Sequence, residues 1–452
     1  MQTFSTISDT SLPGHWASII LFNFKGYLAR ENDILEKLAI HGGKPVRTQR
    51  LNNLPAVAPR EKELVMEVLE SRQFCAIDGK KVAEFEQKFS RYAGTKHAVA
   101  TDTGTSALHV ALAAAGVGPG SEVIVPAYTF IASATSVLHN NAVPVFCDIL
   151  PDTFCMDPDD VRKRVTKSTK AIMPVHLFGH PAEMDEILEI AEEHDLAVVE
   201  DCAQAHAAEY KGRKVGSIGD LGCFSFQQSK NITAGEGGII VTDDEKLADA
   251  CRKVRHHGEV FGPSASRTYE SFVLGYNFRM TELAGAILLA QLEMLDRFTE
   301  RRIRNGDRLA RELSKFDWMT PPRRRPHAKH VYHVFALRID EKKLGMTRAE
   351  LQAAYSAEGL YAGFGYARPL YANPLFRNKI GFGGSECPYE CRYYEGSARY
   401  EDGLCPVTER VVRDALWIGG GWSIHNLTDS DIGDIVHAFG KIDEHASSKR
   451  KH

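Results

Sequence analysis

The sequence predicts an α/β protein with a mostly parallel sheet in its larger part, followed by a smaller α+β part. Its 452 residues exceed what one ordinary domain needs. From about residue 96, short β-rich segments alternate with helical ones, the rhythm of a parallel sheet covered by helices. Residues 281–314 form a long, charged amphipathic segment typical of a helix, or helix pair, between domains. We predict an extension at 1–38, a large domain at 39–300 and a small domain at 301–452.

The predicted elements follow in order along the chain. Strands are expected where β-branched and apolar residues cluster, and helices where Ala- and Leu-rich segments have helical spacing. The strands are 97–100, 122–126, 143–146, 170–177, 196–200, 221–227 and 237–242, and the helices between them are 105–115, 131–139 and 181–194. The carboxy-terminal part adds a strand within 331–339 and a helix at 347–358. Residues 371–405, rich in Gly, Tyr, Arg and Cys, are predicted to form a long functional loop.

Composition limits the classes of function. The chain has 43% hydrophobic and 25% charged residues, as in soluble globular proteins. A net charge of -4 gives no general attraction to nucleic acid or anionic membranes. The apolar segment 14–24 is too short to span a bilayer and lacks signal-peptide features, so a cytoplasmic protein is expected. This segment is either an arm on a partner subunit or an extension from an upstream start codon.

Nine cysteines without a pairing pattern argue against a disulfide framework. Cys387, Cys391 and Cys405 form one cluster, but they lack a CxxC pair and a fourth soft ligand nearby. We therefore predict reduced thiols and no metal site.

Lys230 lies in the most informative stretch, FSFQQSKNITAGEGG, between two predicted strands. The glycines of this polar loop allow close approach of the backbone. A lysine that forms a Schiff base needs an uncharged amine, which requires partial burial. A loop lysine taken alone is usually a solvated surface charge, so other features must support this role.

Three further features point to a bound cofactor, although each has a structural alternative. Asp201 ends an apolar strand, at the sheet edge where open α/β folds bind ligands, but could be a turn former. The segment 102–106 places free amides and hydroxyls at a helix start, which suits a phosphate, but could be an ordinary N-cap. Phe130 follows another strand end and could stack on a flat ring or belong to the core.

With these residues in view, the chain resembles the DegT/StrS sugar aminotransferases, a branch of the type I pyridoxal-phosphate (PLP) fold. The resemblance begins near Gly42-Gly43 and covers nearly all the rest of the chain. The motifs TGTSAL, PAYTF, VHLFG, EDCAQAH, FSF…SKNITAGEGG and YNFRMTE occur in the family's order and approximate spacing. It implies an aspartate aminotransferase-like large domain, a smaller α+β domain and pyridoxal 5'-phosphate as the cofactor.

The resemblance also assigns roles to single residues. Lys230 corresponds to the lysine that bonds to the cofactor and acts as general base, Asp201 to the partner of the pyridine nitrogen, and Gln204 to the neighbour of the ring hydroxyl. Phe130 matches the stacking aromatic. The phosphate-binding positions are Gly104, Thr105, Ser106 and Ser225, with Asn277 reaching the neighbouring subunit's phosphate, which implies a homodimer with shared active sites. Ala207 departs from the family, which often has glycine there.

By resemblance, the function is transfer of an amino group from L-glutamine or L-glutamate to a keto-cyclitol or keto-sugar. The nearest branch contains glutamine:scyllo-inosose aminotransferase and 3-amino-5-hydroxybenzoate synthase, which suggests natural-product biosynthesis. The alternatives are a nucleotide-diphosphate keto-sugar as acceptor, a sugar dehydratase, in which histidine replaces the lysine, and a PLP-binding sensor. A nucleotide-binding enzyme is disfavoured because no GxGxxG or GxxxxGK[ST] motif is present. Residues that could face the acceptor are His330, His333, Arg338, Tyr366 and Arg368.

Overall fold

The computed structural model describes residues 36–49, 51, 57–260, 269–418 and 424–450. The apolar segment 14–24 and nearly all of the predicted extension lie outside the described residues. Within the described ranges, no helix combines the length and the apolar character needed to cross a membrane.

A seven-stranded sheet forms the centre of the large domain. Its strands are β1 (His97–Thr101), β2 (Glu122–Pro126), β3 (Val143–Cys147), β4 (Thr169–Ile172), β5 (Ala197–Asp201), β8 (Leu221–Ser225) and β9 (Gly238–Thr242), in the order β1-β9-β8-β5-β4-β2-β3. Every neighbouring pair is parallel except the two pairs that involve β9. The predicted mostly parallel sheet is therefore confirmed, and the Lys230 loop joins β8 to the one reversed strand.

Helices cover both faces of this sheet. They are α1 (Pro59–Ser71), α2 (Lys81–Ala93), α3 (Gly104–Ala114), α4 (Ala132–His139), α5 (Pro158–Arg164), α6 (Met184–His194), α7 (Glu245–Arg255) and α8 (Glu282–Leu292). Two separate buried clusters, one around Phe85 and Ile172 and one around Leu112 and Val123, fill the two sides. Each central strand consequently reads as a continuous apolar run.

The carboxy-terminal part is a smaller sheet packed with helices. Its antiparallel order is β10 (Met319–Thr320), β12 (Phe335–Ile339), β14 (Ala415–Ile418) and β13 (Ala362–Gly363). A short sheet of β6 (Glu209–Tyr210), β7 (Arg213–Lys214) and β11 (Ala328–Lys329) joins the two parts of the chain. The remaining helices are α9 (Leu295–Leu313), α10 (Glu341–Leu344), α11 (Arg348–Ala357), α12 (Pro374–Arg377), α13 (Pro406–Asp414) and α14 (Asp429–Arg450).

Two predicted strands are shorter in the structure. The strand predicted at 170–177 ends at Ile172, because Pro174 has no amide hydrogen for the ladder. The segment predicted to start a strand at Val331 is extended, but its ladder begins only at Phe335. The amides of Val331 and His333 instead donate to the carbonyls of Gly179 and Phe178, at 2.9 and 2.7 Å.

The structure adds detail to the predictions for residues 281–314 and 371–405. The segment predicted at 281–314 is a helix pair, α8 and α9, with a break at 293–294. Residues 371–405 contain no strand and only short helices. Phe376 and Tyr400 of this segment are buried with Phe146 in a third cluster at the β3 edge. The segment therefore covers a sheet edge, and none of its residues lines the cavity described below.

The first described residues belong to the carboxy-terminal core, although the sequence assigned residue 39 onward to the large domain. Leu38 is buried in the cluster of Leu309, Phe335 and Leu416. The carboxylate of Glu358 is fully buried and accepts from the amides of Ala39 and Val46, at 2.9 and 3.1 Å. Lys441 Nζ pairs with the same carboxylate at 2.7 Å. The domain boundaries otherwise stay predictions.

Candidate functional site

A cavity of about 540 Å³ opens at the carboxyl ends of the parallel strands. Three strand ends supply its floor, since Asp201 ends β5, Ser225 ends β8 and Thr129 follows β2. Because side chains that follow parallel strands meet at one edge, distant sequence motifs converge here. Of the predicted residues, the cavity is lined by Gly104, Thr105, Phe130, Asp201, Gln204, Ser225 and Lys230.

Lys230 projects into this cavity from a loop held by many hydrogen bonds. The amide of Lys230 donates to Gln227 O at 2.8 Å, and Gln228 N donates to Gly235 O at 2.9 Å. Thr233 N is held by Gln291 Oε1 of α8 at 2.7 Å. Burial lowers the pKa of the Lys230 ammonium group, whereas the carboxylates of Asp201 and Glu236 oppose that shift. A firmly positioned amine that loses its proton easily suits a nucleophile.

Asp201 presents a buried carboxylate with only 5% of the residue exposed. Its Oδ2 accepts from Ser133 Oγ at 2.8 Å, and its Oδ1 accepts from the amide of Ala203 at 3.1 Å. Ser133 is in turn 3.1 Å from Thr129 Oγ1. Two donors hold the carboxylate in place, and they leave lone pairs free for a cationic group in the cavity.

Gln204 lies on the same wall with both ends of its amide engaged. Its Oε1 accepts from the amide of Phe178 at 2.9 Å, and its Nε2 donates to the hydroxyl of Tyr366 at 3.0 Å. Ala207, three residues later, has a φ of 68°. That left-handed conformation favours glycine, which accounts for the glycine often found in the family at this position.

The start of α3 forms the anion-binding side of the cavity. Thr103 Oγ1 caps the helix by accepting from Ser106 N at 3.0 Å, so the N-cap alternative is also correct. Gly104 and Thr105 are the first two helical residues, and their amides have no acceptor within the helix. A Cβ added to Gly104 would lie 2.5 Å from Ser225 Cβ, so glycine is required for this close approach.

The structure separates two predicted residues, Ser106 and Asn277, from this group, whereas Phe130 belongs to it. Ser106 lies beside the cavity and serves the cap of α3, with its hydroxyl 2.9 Å from Thr103 Oγ1. Asn277 is exposed, away from this chain's own cavity, and forms a bridge with His256. Phe130 lines the cavity with 56% of its surface exposed, so it is available to contact a bound ring.

Only two of the five residues suggested for the acceptor line the cavity, namely His333 and Tyr366. His330 is buried and packs 4.0 Å from the ring of Tyr332, so its role is structural. Arg338 and Arg368 are not among the lining residues. Glu236 and Trp417 also line the cavity, although neither was predicted from the sequence. Glu236 is in the lysine loop and could have been proposed, but Trp417 comes from β14 and no local pattern indicates it.

A buried group of His176, Glu200 and Cys202 has the spacing of metal ligands. Its ligand atoms are already engaged, since Ala182 N donates to His176 Nδ1 at 3.0 Å and His176 Nε2 donates to Glu200 Oε2 at 2.9 Å. Glu200 also accepts from three amides, of which Gly216 is at 2.7 Å. Burial raises the pKa of Glu200, but the His176 hydrogen bond and these amides outweigh it and lower the pKa. The group fastens β5 to the following loop.

The chain is similar to known proteins over most of its length. The sequence profile of the DegT/DnrJ/EryC1/StrS aminotransferase family matches residues 55–390. An L-glutamine:2-deoxy-scyllo-inosose aminotransferase from Streptomyces paromomycinus is 36% identical, over 91% of this chain and 98% of its own. A GDP-perosamine synthase from Caulobacter vibrioides is 41% identical, over 69% and 84% respectively.

The fold is also shared with solved structures. The crystal structure of 3-amino-5-hydroxybenzoic acid synthase has a TM-score of 0.77 and 29% identity, covering 90% of this chain and all of the other. The family match extends over the cavity motifs from TGTSAL to YNFRMTE. The chain belongs to the DegT/DnrJ/EryC1/StrS aminotransferase family.

Proposed function

We propose that the protein is a pyridoxal-phosphate aminotransferase that moves an amino group from L-glutamine or L-glutamate onto a keto-cyclitol or keto-sugar. The single observation that carries this proposal is the meeting of Lys230, Asp201 and the start of α3 in one cavity. An amine, a buried carboxylate and an anion site at three corners match the three functional groups of this cofactor.

The residues present fit the cofactor. The free amides of Gly104 and Thr105, with the hydroxyl of Ser225, would hold its phosphate. Asp201 would hold the proton of the pyridine nitrogen, and Phe130 would lie against the ring. When bound, the cofactor supplies a conjugated electron sink that stabilises negative charge on the amino-bearing carbon. The required glycine at 104 supports this assignment, because a methyl group there would disturb the phosphate site.

Lys230 has two tasks in this proposal. It holds the cofactor in the resting enzyme, and its released amine moves the proton between the donor carbon and the cofactor. Burial favours the uncharged amine, which is the form that accepts a proton. The hydrogen bonds from Ser133 and from the Ala203 amide would hold the Asp201 carboxylate in position opposite the ring nitrogen.

The direct test uses Lys230→Ala, with Lys170→Ala, at an exposed lysine, as the control. After borohydride reduction, mass spectrometry of wild type and the control should find the cofactor mass on the peptide containing residue 230. Lys230→Ala should lose both this mass and all turnover. If the cofactor mass lies on another lysine, the proposed site is wrong.

The lining favours an uncharged polyhydroxy acceptor over a nucleotide-linked sugar. Among the described residues that line the cavity, Lys230 is the only lysine or arginine, and Glu236 adds negative charge. Burial holds the pKa of His333 well below its ordinary value, so this imidazole is neutral at pH 7. A diphosphate would find little positive charge there. In the test, glutamine or glutamate first donates an amino group to the enzyme, and cyclitol ketones or nucleotide-linked keto-sugars are then added. Faster return of the starting absorbance with nucleotide-linked keto-sugars would contradict this preference.

Of the two remaining alternatives, the sensor is distinguished by the same spectra and the dehydratase by the residue at position 230. A sensor would bind the cofactor, but its absorbance would not change on adding an amino donor. A dehydratase would lack the lysine at position 230, which this chain has.

We further propose a homodimer with shared active sites in the cytoplasm. Asn277 is exposed on the same part of the chain as Tyr269, Phe272 and Leu274, each more than half exposed. Three large exposed apolar side chains within six residues of the chain support a protein interface there. All nine cysteines are free thiols, which suits a reducing compartment.

Hybrid dimers test the sharing of sites. Inactive Lys230→Ala and Asn277→Ala chains, mixed and reassembled, should regain about a quarter of wild-type activity, because half the dimers are hybrids with one intact site. The control mixture of Lys230→Ala with Asp201→Ala, both from the same side of the site, should regain none. Equal behaviour of the two mixtures would contradict shared sites.

A further inference from the structure

The amide of Gln204 has a fixed orientation. The backbone N–H of Phe178 can only donate, so the end of the side chain that faces it at 2.9 Å must be the carbonyl oxygen. The opposite end is therefore the NH2 group. Its nitrogen lies 3.0 Å from the hydroxyl oxygen of Tyr366 and donates one hydrogen to it. The other hydrogen is left to point into the cavity, which Gln204 lines.

Phe178 is held in place for this contact. It is buried and has a φ of 56°, a left-handed conformation that is uncommon for a residue with a side chain. Its carbonyl accepts from the amide of His333 at 2.7 Å. Strained backbone of this kind persists only where the surroundings fix it, and it concentrates at functional sites.

Tyr366 is fixed just as firmly. Its ring meets those of Tyr128 and Trp417 edge-on, each with centroids 5.3 Å apart. Gly365 before it has a φ of 70°, and a Cβ there would lie 2.3 Å from the Trp417 ring. The hydroxyl of Tyr366 consequently occupies one position, beside Gln204.

We propose that Tyr366 is a positioning residue, which, together with the Phe178 amide, directs one N–H of Gln204 at the ring hydroxyl of the cofactor. This inference rests on the proposed function, since it requires the cofactor in the cavity. A hydrogen bond donated to that oxygen stabilises its anionic form. Removing the Tyr366 hydroxyl leaves the amide held only at its carbonyl end, by Phe178, and so weakens this hydrogen bond, although the aromatic ring stays in place.

The experiment compares Tyr366→Phe with Tyr128→Phe. Tyr128 is the matched control, because its ring contacts Tyr366 but its buried hydroxyl makes no hydrogen bond to Gln204 among the described residues. The readout is the pH midpoint of the visible absorbance of the lysine-bound cofactor, together with the cofactor dissociation constant of the apoprotein. For Tyr366→Phe we expect a midpoint about 0.5 to 1 unit higher and cofactor binding about 3- to 10-fold weaker, the effect of one hydrogen bond. Tyr128→Phe should leave both values unchanged.

A double-mutant cycle shows whether Tyr366 acts through Gln204. In a Gln204→Ala background, Tyr366→Phe should produce no further shift in the midpoint. An equal shift in both backgrounds, no shift in either, or the same shift from Tyr128→Phe would overturn the inference. A wild-type protein that never acquires the visible absorbance would instead contradict the proposed function, so the two failures are distinguishable.

Discussion

Gly104→Ala gives the sharpest test of how the anion site is built. The added Cβ would lie 2.5 Å from Ser225 Cβ and 2.9 Å from Ser225 Oγ. Carbon atoms in contact are ordinarily about 3.5–4.0 Å apart, so one partner must move by about 1 Å. Ser225 cannot move readily, because it ends β8, which is buried and paired on both sides. The start of α3 must therefore shift and carry the Gly104 and Thr105 amides with it.

Two opposing effects determine how Gly104→Ala changes the unfolding free energy. Alanine in a helix is favoured over glycine by about 1 kcal/mol, whereas overpacking costs about 1–3 kcal/mol. The net loss of unfolding free energy should then be about 0–2 kcal/mol. Cofactor binding should suffer more, because hydrogen bonds to a charged phosphate contribute about 1.5–3 kcal/mol, or roughly 10- to 100-fold in the dissociation constant.

The assays are denaturant unfolding of the apoprotein and titration of the apoprotein with cofactor. Gly433→Ala in α14 is the matched control, because nothing lies within 4 Å of its added Cβ. It should stabilise the protein by about 1 kcal/mol and leave cofactor binding unchanged. If Gly104→Ala binds the cofactor as tightly as Gly433→Ala, the close approach of α3 to β8 does not shape the anion site.

Two further outcomes follow from buried charges. Glu358→Ala should lower the unfolding free energy by about 3–5 kcal/mol in denaturant titrations, because it removes the carboxylate that pairs with the buried Lys441. Glu36→Ala, at an exposed carboxylate 3.9 Å from the same ammonium group, should cost under about 1 kcal/mol. Similar losses in the two variants would contradict this view. In the apoprotein, Lys230→Met should raise the melting temperature at neutral pH, since burial disfavours the charged amine. The gain should shrink as the pH rises from the lowered folded pKa towards the unfolded value of about 10.4, where both states lose the proton; a gain that is constant with pH would refute the assignment.

The sequence predicted most of the sheet because β1, β2, β3 and β5 are short apolar runs bounded by clear turn signals. It extended the runs at 170–177 and 331–339 too far, because apolar character alone cannot show where ladder pairing stops. In the segment 170–177, Pro174 already indicated where the ladder would stop. In the segment 331–339, the partners of Val331 and His333 are Gly179 and Phe178, about 150 residues earlier in the chain.

The sequence predicted those cavity residues that belong to short motifs. Lys230, Asp201, Gln204 and Ser225 belong to two segments whose strands, β5 and β8, are neighbours. Trp417 comes from β14 of the other sheet, and nothing local indicates that it reaches the same cavity. Tyr366, which follows β13, was suggested only as a residue that could face the acceptor. The packing of Leu38 beside Leu309 was missed for a similar reason, since order along the chain placed Leu38 in the predicted extension and the residues after it in the large domain.

The attachment of residues 38–47 to the carboxy-terminal core bears on how this enzyme can open and close. Arg47 forms ion pairs with Asp431 and Asp434 of α14, at 2.7 and 2.6 Å. Any rotation of the small sheet about the cavity must therefore move residues 38–47 with it, as part of the same rigid body. The long helix α9 has Leu295 in one core and Leu309 in the other, so a rotation of the small sheet would be transmitted along this helix to the core of the large domain.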